Sequence, residues 1–295
     1  MKKIIACFTL ISCVAIGSVW GLAEWSDIKK KIGKQEEKAI TVKVNAATNE
    51  VQQKKEIANS LDLKNQEAIQ ERMLNSYQFF NSVKGSFHYV SKDVGFDYTV
   101  NYQLKWKNKM VKYYVKTVEN NKNAIDELSY DAGELKTIYP NVKKYEKIKL
   151  DIKNKGEFKK IGEVVVRNSD GTKEYRYPET QLYLGMAENS LHSKEIAVGF
   201  LEEKNLWTVK RTEQLLGRQV VVIEGTLNPY YQEKLMADTF TLWMDQSTGI
   251  LMKYETIRNG EIIDLLETTN IKIDEEFEVE TVAIPTTYDI YTPGK

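Results

Sequence analysis

From Phe96 to Lys107 every even position is apolar and every odd position polar: Phe96, Tyr98, Val100, Tyr102, Leu104 and Trp106 alternate with Asp97, Thr99, Asn101, Gln103, Lys105 and Lys107. A period of two over twelve residues dictates a strand with one dry and one wet face, and so a place in an antiparallel sheet. Asn108-Lys109 reads as a short turn, and Val111, Tyr113 and Val115 carry the alternation back on a return strand. Phe87 and Tyr89 lie on the strand before it. The same pattern recurs at Glu127–Tyr130 and Leu135–Tyr139, which flank Asp131-Ala132-Gly133, and at Lys143–Leu150 after Pro140-Asn141. It returns at Trp207–Thr212, Arg218–Leu227, Asp238–Asp245, Ile250–Arg258 and Ile262–Ile273, where Asn259-Gly260 is the strongest hairpin turn. Residues 151–190 show no clear period beyond the turn signal Asn168-Ser169-Asp170-Gly171.

Two helices punctuate this β pattern. Asn65 is placed to cap the first, and Ile69, Met73, Tyr77 and Phe80 form its apolar stripe, so a helix is expected over 65–83 with a stop near Lys84-Gly85. The stretch Lys194–Glu203, with Ile196, Ala197, Phe200 and Leu201 on one side, predicts a short inserted helix. The expected class is α+β: a strongly curved antiparallel sheet, an incomplete barrel, with an N-terminal helix and a short inserted lid helix.

The N-terminus bears on location. Lys2 and Lys3 precede Ile4–Ala23, which carries no charge and would span roughly 30 Å as a helix, about one hydrocarbon core. Lysines on the near side favour translocation of the chain beyond Ala23. The expected address is extracytoplasmic, attached to the membrane by the N-terminus, or secreted if cleaved. Three processings compete: retention of 1–23 as an anchor, cleavage as a signal peptide after Ala23, and lipidation at Cys13 in the lipobox-like Leu10-Ile11-Ser12-Cys13. Residues 24–64, rich in Lys, Glu and Gln, read as a charged juxtamembrane spacer, and 65–295 as the β domain. Cys7 and Cys13 both fall in the leader, so the folded part has no disulfide and no thiol nucleophile.

Charge and motif content exclude several classes. Lys plus Arg equal Asp plus Glu at 42 each, without the basic excess of a nucleic-acid binder. The two histidines, His88 and His192, have no neighbours at metal-ligand spacing, and His88 is expected on a sheet face. No nucleophile elbow, zinc-protease helix, phosphate loop or dinucleotide fingerprint occurs. Neither enzyme activity nor a cofactor is expected.

Three segments resemble a known family. Leu216-Gly217-Arg218-Gln219-Val220-Val221-Val222-Ile223 is followed by Phe240-Thr241-Leu242-Trp243-Met244-Asp245-Gln246-Ser247-Thr248-Gly249-Ile250-Leu251. Together they resemble the G-R strand and W-x-D-x-x-T-G-L hairpin of the RseB/MucB-like periplasmic regulators, within the wider LolA-like lipoprotein-carrier superfamily. Asp131–Pro140 is similar to an earlier hairpin of the same fold. The resemblance covers about Asn65 to Phe277, lacks a second C-terminal domain, and implies a bent antiparallel sheet around a helix or cavity. Asp245 and Gly249 themselves read as turn chemistry.

The resemblance and the apolar face imply two functions. The first is non-enzymatic binding of acyl chains of lipids or lipoproteins, with Phe96, Tyr98, Val100, Tyr102, Leu104, Trp106, Val111, Tyr113, Val115, Phe240 and Leu242 as the concave face that meets them. The alternative is a tethered envelope-stress or sigma-factor regulator that contacts an anti-sigma factor or another envelope protein.

Overall fold

The computed structural model describes residues 61–107, 110–120, 124–169, 172–176 and 182–291. The leader, nearly all of the spacer and the Asn108-Lys109 turn lie outside these residues. The packed chain already includes Leu61, which is buried, and Leu63, which packs on the core.

Among the described residues, fourteen strands alternate with short helices in chain order: α1 (Gln66–Leu74), β1 (Ser82–Ser91), β2 (Phe96–Lys107), β3 (Met110–Glu119), β4 (Ala124–Asp131), β5 (Glu134–Tyr139), β6 (Lys144–Lys149), α2 (Ile161–Val164), β7 (Val165–Arg167), β8 (Lys173–Tyr175), α3 (Glu188–Leu191), β9 (Trp207–Leu215), β10 (Arg218–Thr226), α4 (Pro229–Leu235), β11 (Thr239–Asp245), β12 (Leu251–Arg258), β13 (Glu261–Ile273) and β14 (Asp289–Ile290). Twelve strands make one sheet in the order β14-β6-β5-β4-β3-β2-β1-β13-β12-β11-β10-β9, and β7-β8 form a separate ribbon. Every pairing is antiparallel except β14 with β6. β14 and β9 are the two ends of the order, so the sheet is curved but not closed. Bulges at Ser86/Phe87, Thr117/Val118, Val222/Ile223, Trp243/Met244 and Thr256/Ile257 supply bending, since each extra residue tightens the local twist.

The alternating segment is β2, over the same residues the pattern predicts. The first helix is shorter than its stripe suggests. Asn65 caps it by accepting from the Ala68 N–H at 3.2 Å. The α turns stop at Asn75, whose side-chain amide donates to the Glu71 and Lys159 carbonyls, each at 2.8 Å. A 3-10 turn, Ser76–Phe79, comes next, so Tyr77 and Phe80 still reach the core without being α-helical. Gly85 is no helix stop; it is inside β1. A Cβ there would meet the Asn270 carbonyl at 2.5 Å and the Tyr102 hydroxyl at 2.7 Å, so glycine is what lets the Tyr102 ring lie across the strand.

Between β6 and β9 the chain crosses the concave side. Ile152, Val164, Leu184, Ala187, Leu191 and Leu201 join one core with α1 and the inward residues of β1–β4 and β10–β13. The inserted helix is present as a π turn, Ile196–Phe200, all five residues buried. The opposite face carries a strap that sequence patterning does not reveal. Val279 and Val282 pack on Tyr114 and Ile138, Glu280 N–H donates to Gln103 at 2.9 Å, and Val282 N–H donates to Ser129 at 3.0 Å.

The β11–β12 turn shows why D-x-x-T-G occurs there. Asp245, 1% exposed, accepts from the Thr248 N–H at 2.8 Å and hydroxyl at 2.7 Å, and takes two bonds from Arg218 at 2.6 and 3.1 Å. Gly249 has φ +78, and its Cα rests against the α1 backbone at Arg72, so the turn pins the helix to the sheet. Burial pushes the Asp245 carboxyl up, but Arg218, Thr248 and Ser247 together hold it below its ordinary value. A depressed carboxylate contributes stability that is complete above its unfolded value of about 3.9 and is lost as pH falls through the folded value. Asp245→Asn is therefore expected to lose about 3 kcal/mol at neutral pH and to flatten the fall in stability below about pH 4, read by urea unfolding. Equal acid sensitivity in the variant would contradict this.

Candidate functional site

The eleven residues of the expected concave face do share one side of the sheet, and the structure shows what covers them. Val100, Tyr102, Leu104, Trp106, Val111, Tyr113, Val115, Phe240 and Leu242 are all buried in one cluster. Ile69 and Met73 of α1, Tyr77, Phe80 and the segment Ile196–Leu201 lie in that same cluster. The hollow is filled by the chain itself. Phe96 and Tyr98 differ: their rings stack at 5.2 Å at the other end of β2, and Phe96 is 42% exposed.

A cavity of about 260 Å³ opens at that end. Tyr89, the β1 partner of Tyr98, and Tyr254 of β12 form its sheet wall. Burial raises both tyrosines above their ordinary pKa, so both are neutral hydroxyls. His192, Lys194, Ile196 and Phe200 form a second wall, and Tyr231, Lys234 and Leu235 of α4 cover it. This size lies just under the usual range for small-molecule pockets. A second cavity of about 450 Å³ lies at the opposite end of β2, lined by Met110, Val111, Tyr130, Ile152 and Phe277 with Lys107 at its rim. Val111, Tyr130 and Ile152 are core residues, so the same apolar interior reaches the surface at both ends.

Hydrophobic patterning does not disclose the cover α4, although its signals are local. Asn228 caps it by accepting from the Tyr231 N–H at 3.0 Å, and Pro229 sits at its first turn. Seven residues are too few to show a stripe, and none of them is buried. Its flanks, Leu227 and Ala237, are each 1% exposed and anchor it. The contacts that hold it down include a Lys234–Glu195 ion pair, the Phe200–Tyr231 rings at 5.0 Å, the Tyr231 hydroxyl against Gly199, and the half-buried Leu235 against the core. A Cβ on Gly199 would lie 2.1 Å from that hydroxyl.

His192 is the buried titratable group of this region. Its Nε2–H donates to the Leu74 carbonyl at 2.9 Å, its ring lies 4.5 Å from that of Tyr77, and Nδ1 has no partner. Burial is the main cause that pushes its pKa down to about 4, so the imidazole is neutral. His88 lies on the face of β1, 2.6 Å from Asp97. Among the described residues no group of three His, Cys, Asp or Glu is placed to hold a metal. Among the same residues no helix is long and apolar enough to cross a membrane, and the leader lies outside them.

No protein-family model and no curated protein matches this chain. The resemblance carried by the β10–β12 motifs is met again among solved structures. The MucA/MucB complex of Pseudomonas aeruginosa is similar over 70% of this chain and 56% of that one, with 13% identity and a TM-score of 0.36. The Mycobacterium tuberculosis lipoprotein LppX is similar over 73% and 98%, with 11% identity and a TM-score of 0.37. A putative outer membrane lipoprotein-sorting protein domain from Vibrio parahaemolyticus is similar over 73% and 94%, with 12% identity and a TM-score of 0.28. The chain spans little more than half the length of the MucA/MucB chain it matches.

Gly199→Ala is expected to push Tyr231 aside and loosen α4: amide exchange over 230–235 should speed up while β1 and β2 keep their protection. Unchanged exchange in α4 would show that Gly199 is not its seat. His192 has a lowered folded pKa, so the stability it gives is complete above 6.5 and falls as pH drops from 6.5 toward 4. His192→Phe should lessen that fall, and the wild-type ring should show no NMR titration above pH 5.

Proposed function

We propose that this chain is an extracytoplasmic, non-enzymatic binding protein for the acyl chains of lipids or lipoproteins, and that the ligand enters beneath α4. The observation that carries the reading is the pairing of a dry interior with a cover whose own residues are at most half-buried. Location rests on the leader, Lys2-Lys3 followed by uncharged Ile4–Ala23.

Magnitudes decide where the interior opens. Lifting the segment Ile196–Leu201 would expose several fully buried apolar side chains, at about 1.5–3 kcal/mol for each large one. Lifting α4 breaks a surface ion pair worth about 0–1 kcal/mol and an aromatic edge contact worth roughly 0.5–1.5 kcal/mol, and re-exposes the half-buried Tyr231 and Leu235 at no more than about 1.5–3 kcal/mol each. Each methylene that leaves water returns about 0.8 kcal/mol, so up to about ten offset the lifting of α4 and a longer chain has a surplus. The inner wall stays shut until that surplus is available. Tyr89, Tyr254 and His192 are neutral, and the charged residues that also line the cavity, Glu188, Lys194, Glu195 and Lys234, are two of each sign.

A second reading, regulation through a protein partner, has its own observation. Among the described residues β9 ends the sheet and pairs with no strand but β10, and beyond the Trp207 carbonyl, which accepts from Gln66 at 3.0 Å, one edge is available to an added strand. MucB, among the structures to which this chain is similar, is solved in complex with MucA.

Purification of the full chain from its native membranes in mild detergent, followed by lipid mass spectrometry, separates the two. Carriage predicts a co-purifying acyl lipid that is lost when Phe200→Glu places a charge inside the cavity. A stoichiometric protein without lipid would favour regulation and end the carrier reading.

A further inference from the structure

We propose that the β6 edge is a docking face for an anionic bilayer surface. This goes beyond the cavity's occupant and does not depend on it.

Charges in the whole chain cancel, yet between Lys143 and Lys160 there are eight lysines and three acids. Pairing then separates these lysines. Lys153 is bound to Asp151, Lys159 to Glu157, and Lys155 to the Phe80 carbonyl. Lys143, Lys147 and Lys149 form no ion pair among the described residues. The nearby acids are engaged or few. Glu134, opposite Lys149 in the register, bridges Lys136 at 3.4 Å, and Glu146 accepts from Tyr139 at 3.2 Å. Asp289 is the remaining acid on this edge. Lysines on an edge strand also discourage strand addition, but that role does not ask for apolar neighbours.

Apolar neighbours are what this edge has. Val142 is 59% exposed, Ile148 45% and Ile290 66%. The left-handed turn at Lys143 sets Val142 just before the strand. Among the described residues β14 pairs with Lys144 and Tyr145 alone, which places Ile290 beside Tyr145 and shows no strand beside 146–149 on that side. Lys144 is itself held 5.4 Å over the Tyr291 ring, a cation on an aromatic face. Lys147 and Lys149 project to one side of the β6 edge and Ile148 to the other, so an edge-on approach brings both to a lipid surface: phosphates meet the lysines, and Val142, Ile148 and Ile290 enter the headgroup boundary. An acidic polypeptide would use the lysines but would leave three aliphatic side chains in water.

The test measures partition of the full chain onto vesicles of phosphatidylglycerol and phosphatidylcholine, one to one, against phosphatidylcholine alone. The leader and spacer carry lysines of their own, which favour the anionic vesicles equally in every variant, so the comparison between variants decides. The ratio should exceed one, fall in 0.5 M salt, and drop about fivefold for each of Lys147→Gln and Lys149→Gln, the effect of about 1 kcal/mol per lysine at an anionic surface. Ile148→Ser should weaken binding that persists in high salt. Lys210→Gln with Lys272→Gln, on other strands, should leave the ratio unchanged. Both β6 lysines are exposed, so circular dichroism should confirm that the fold is kept. The proposal is overturned if the Lys147/Lys149 double variant partitions like the wild type, or if the chain binds soluble polyglutamate and not vesicles. Because this readout is independent of co-purifying acyl lipid, either proposal can fail alone.

Discussion

A sheet of twelve strands with one apolar face cannot leave that face in water, and bulges bend it inward until something must occupy the hollow. Here the chain supplies the filling. α1 comes from before the sheet, and the segment containing Ile196–Phe200 comes from the middle of it, so the core is assembled from parts distant in sequence. The Asp245 turn ties these parts together. Its carboxylate holds Arg218 and Thr248, and Gly249 beside it lets the α1 backbone approach. If that turn loosened, the helix that plugs the hollow would lose its seat.

Filling is complete in the middle and thins toward both ends. At one end a short helix without buried residues rests on a tyrosine, a ring contact and a surface ion pair. At the other, the hairpin rim, the strap at Phe277 and the Ile152 segment converge around a larger opening. Weakness placed at the ends of a tight core would let those ends open without unfolding the sheet, since local opening draws on the least buried contacts first.

The chain also manages its sheet edges unequally. β14 and the strap cover one side of the first strands, and lysines stud β6 beyond the reach of β14. β9 carries the charged side chains Lys210, Arg211 and Glu213 against strand addition. Two unlike edges on one sheet give the molecule two unlike surfaces, one with unpaired lysines beside exposed aliphatic side chains and the other with charges of both signs.

Alternation at 96–107, the return at 111–115 and the Asn-Gly turn at 259–260 determine strands and hairpins by themselves, because a strand's two faces are written within a few residues. The acid, threonine and glycine of 245–249 likewise determine a turn. Other features are local but too brief to show in a pattern: the Asn228-Pro229 cap of α4 and the Asn75 stop of α1 each depend on one or two side chains. What lies against Tyr102 or Phe240 belongs to tertiary structure alone. Their burial depends on residues dozens of positions away, and a periodic pattern states only that a face is dry, not whether a ligand or the protein keeps it so. The unpaired lysines of β6 are of the same kind, since pairing is a distance in space and composition records only that the charges exist.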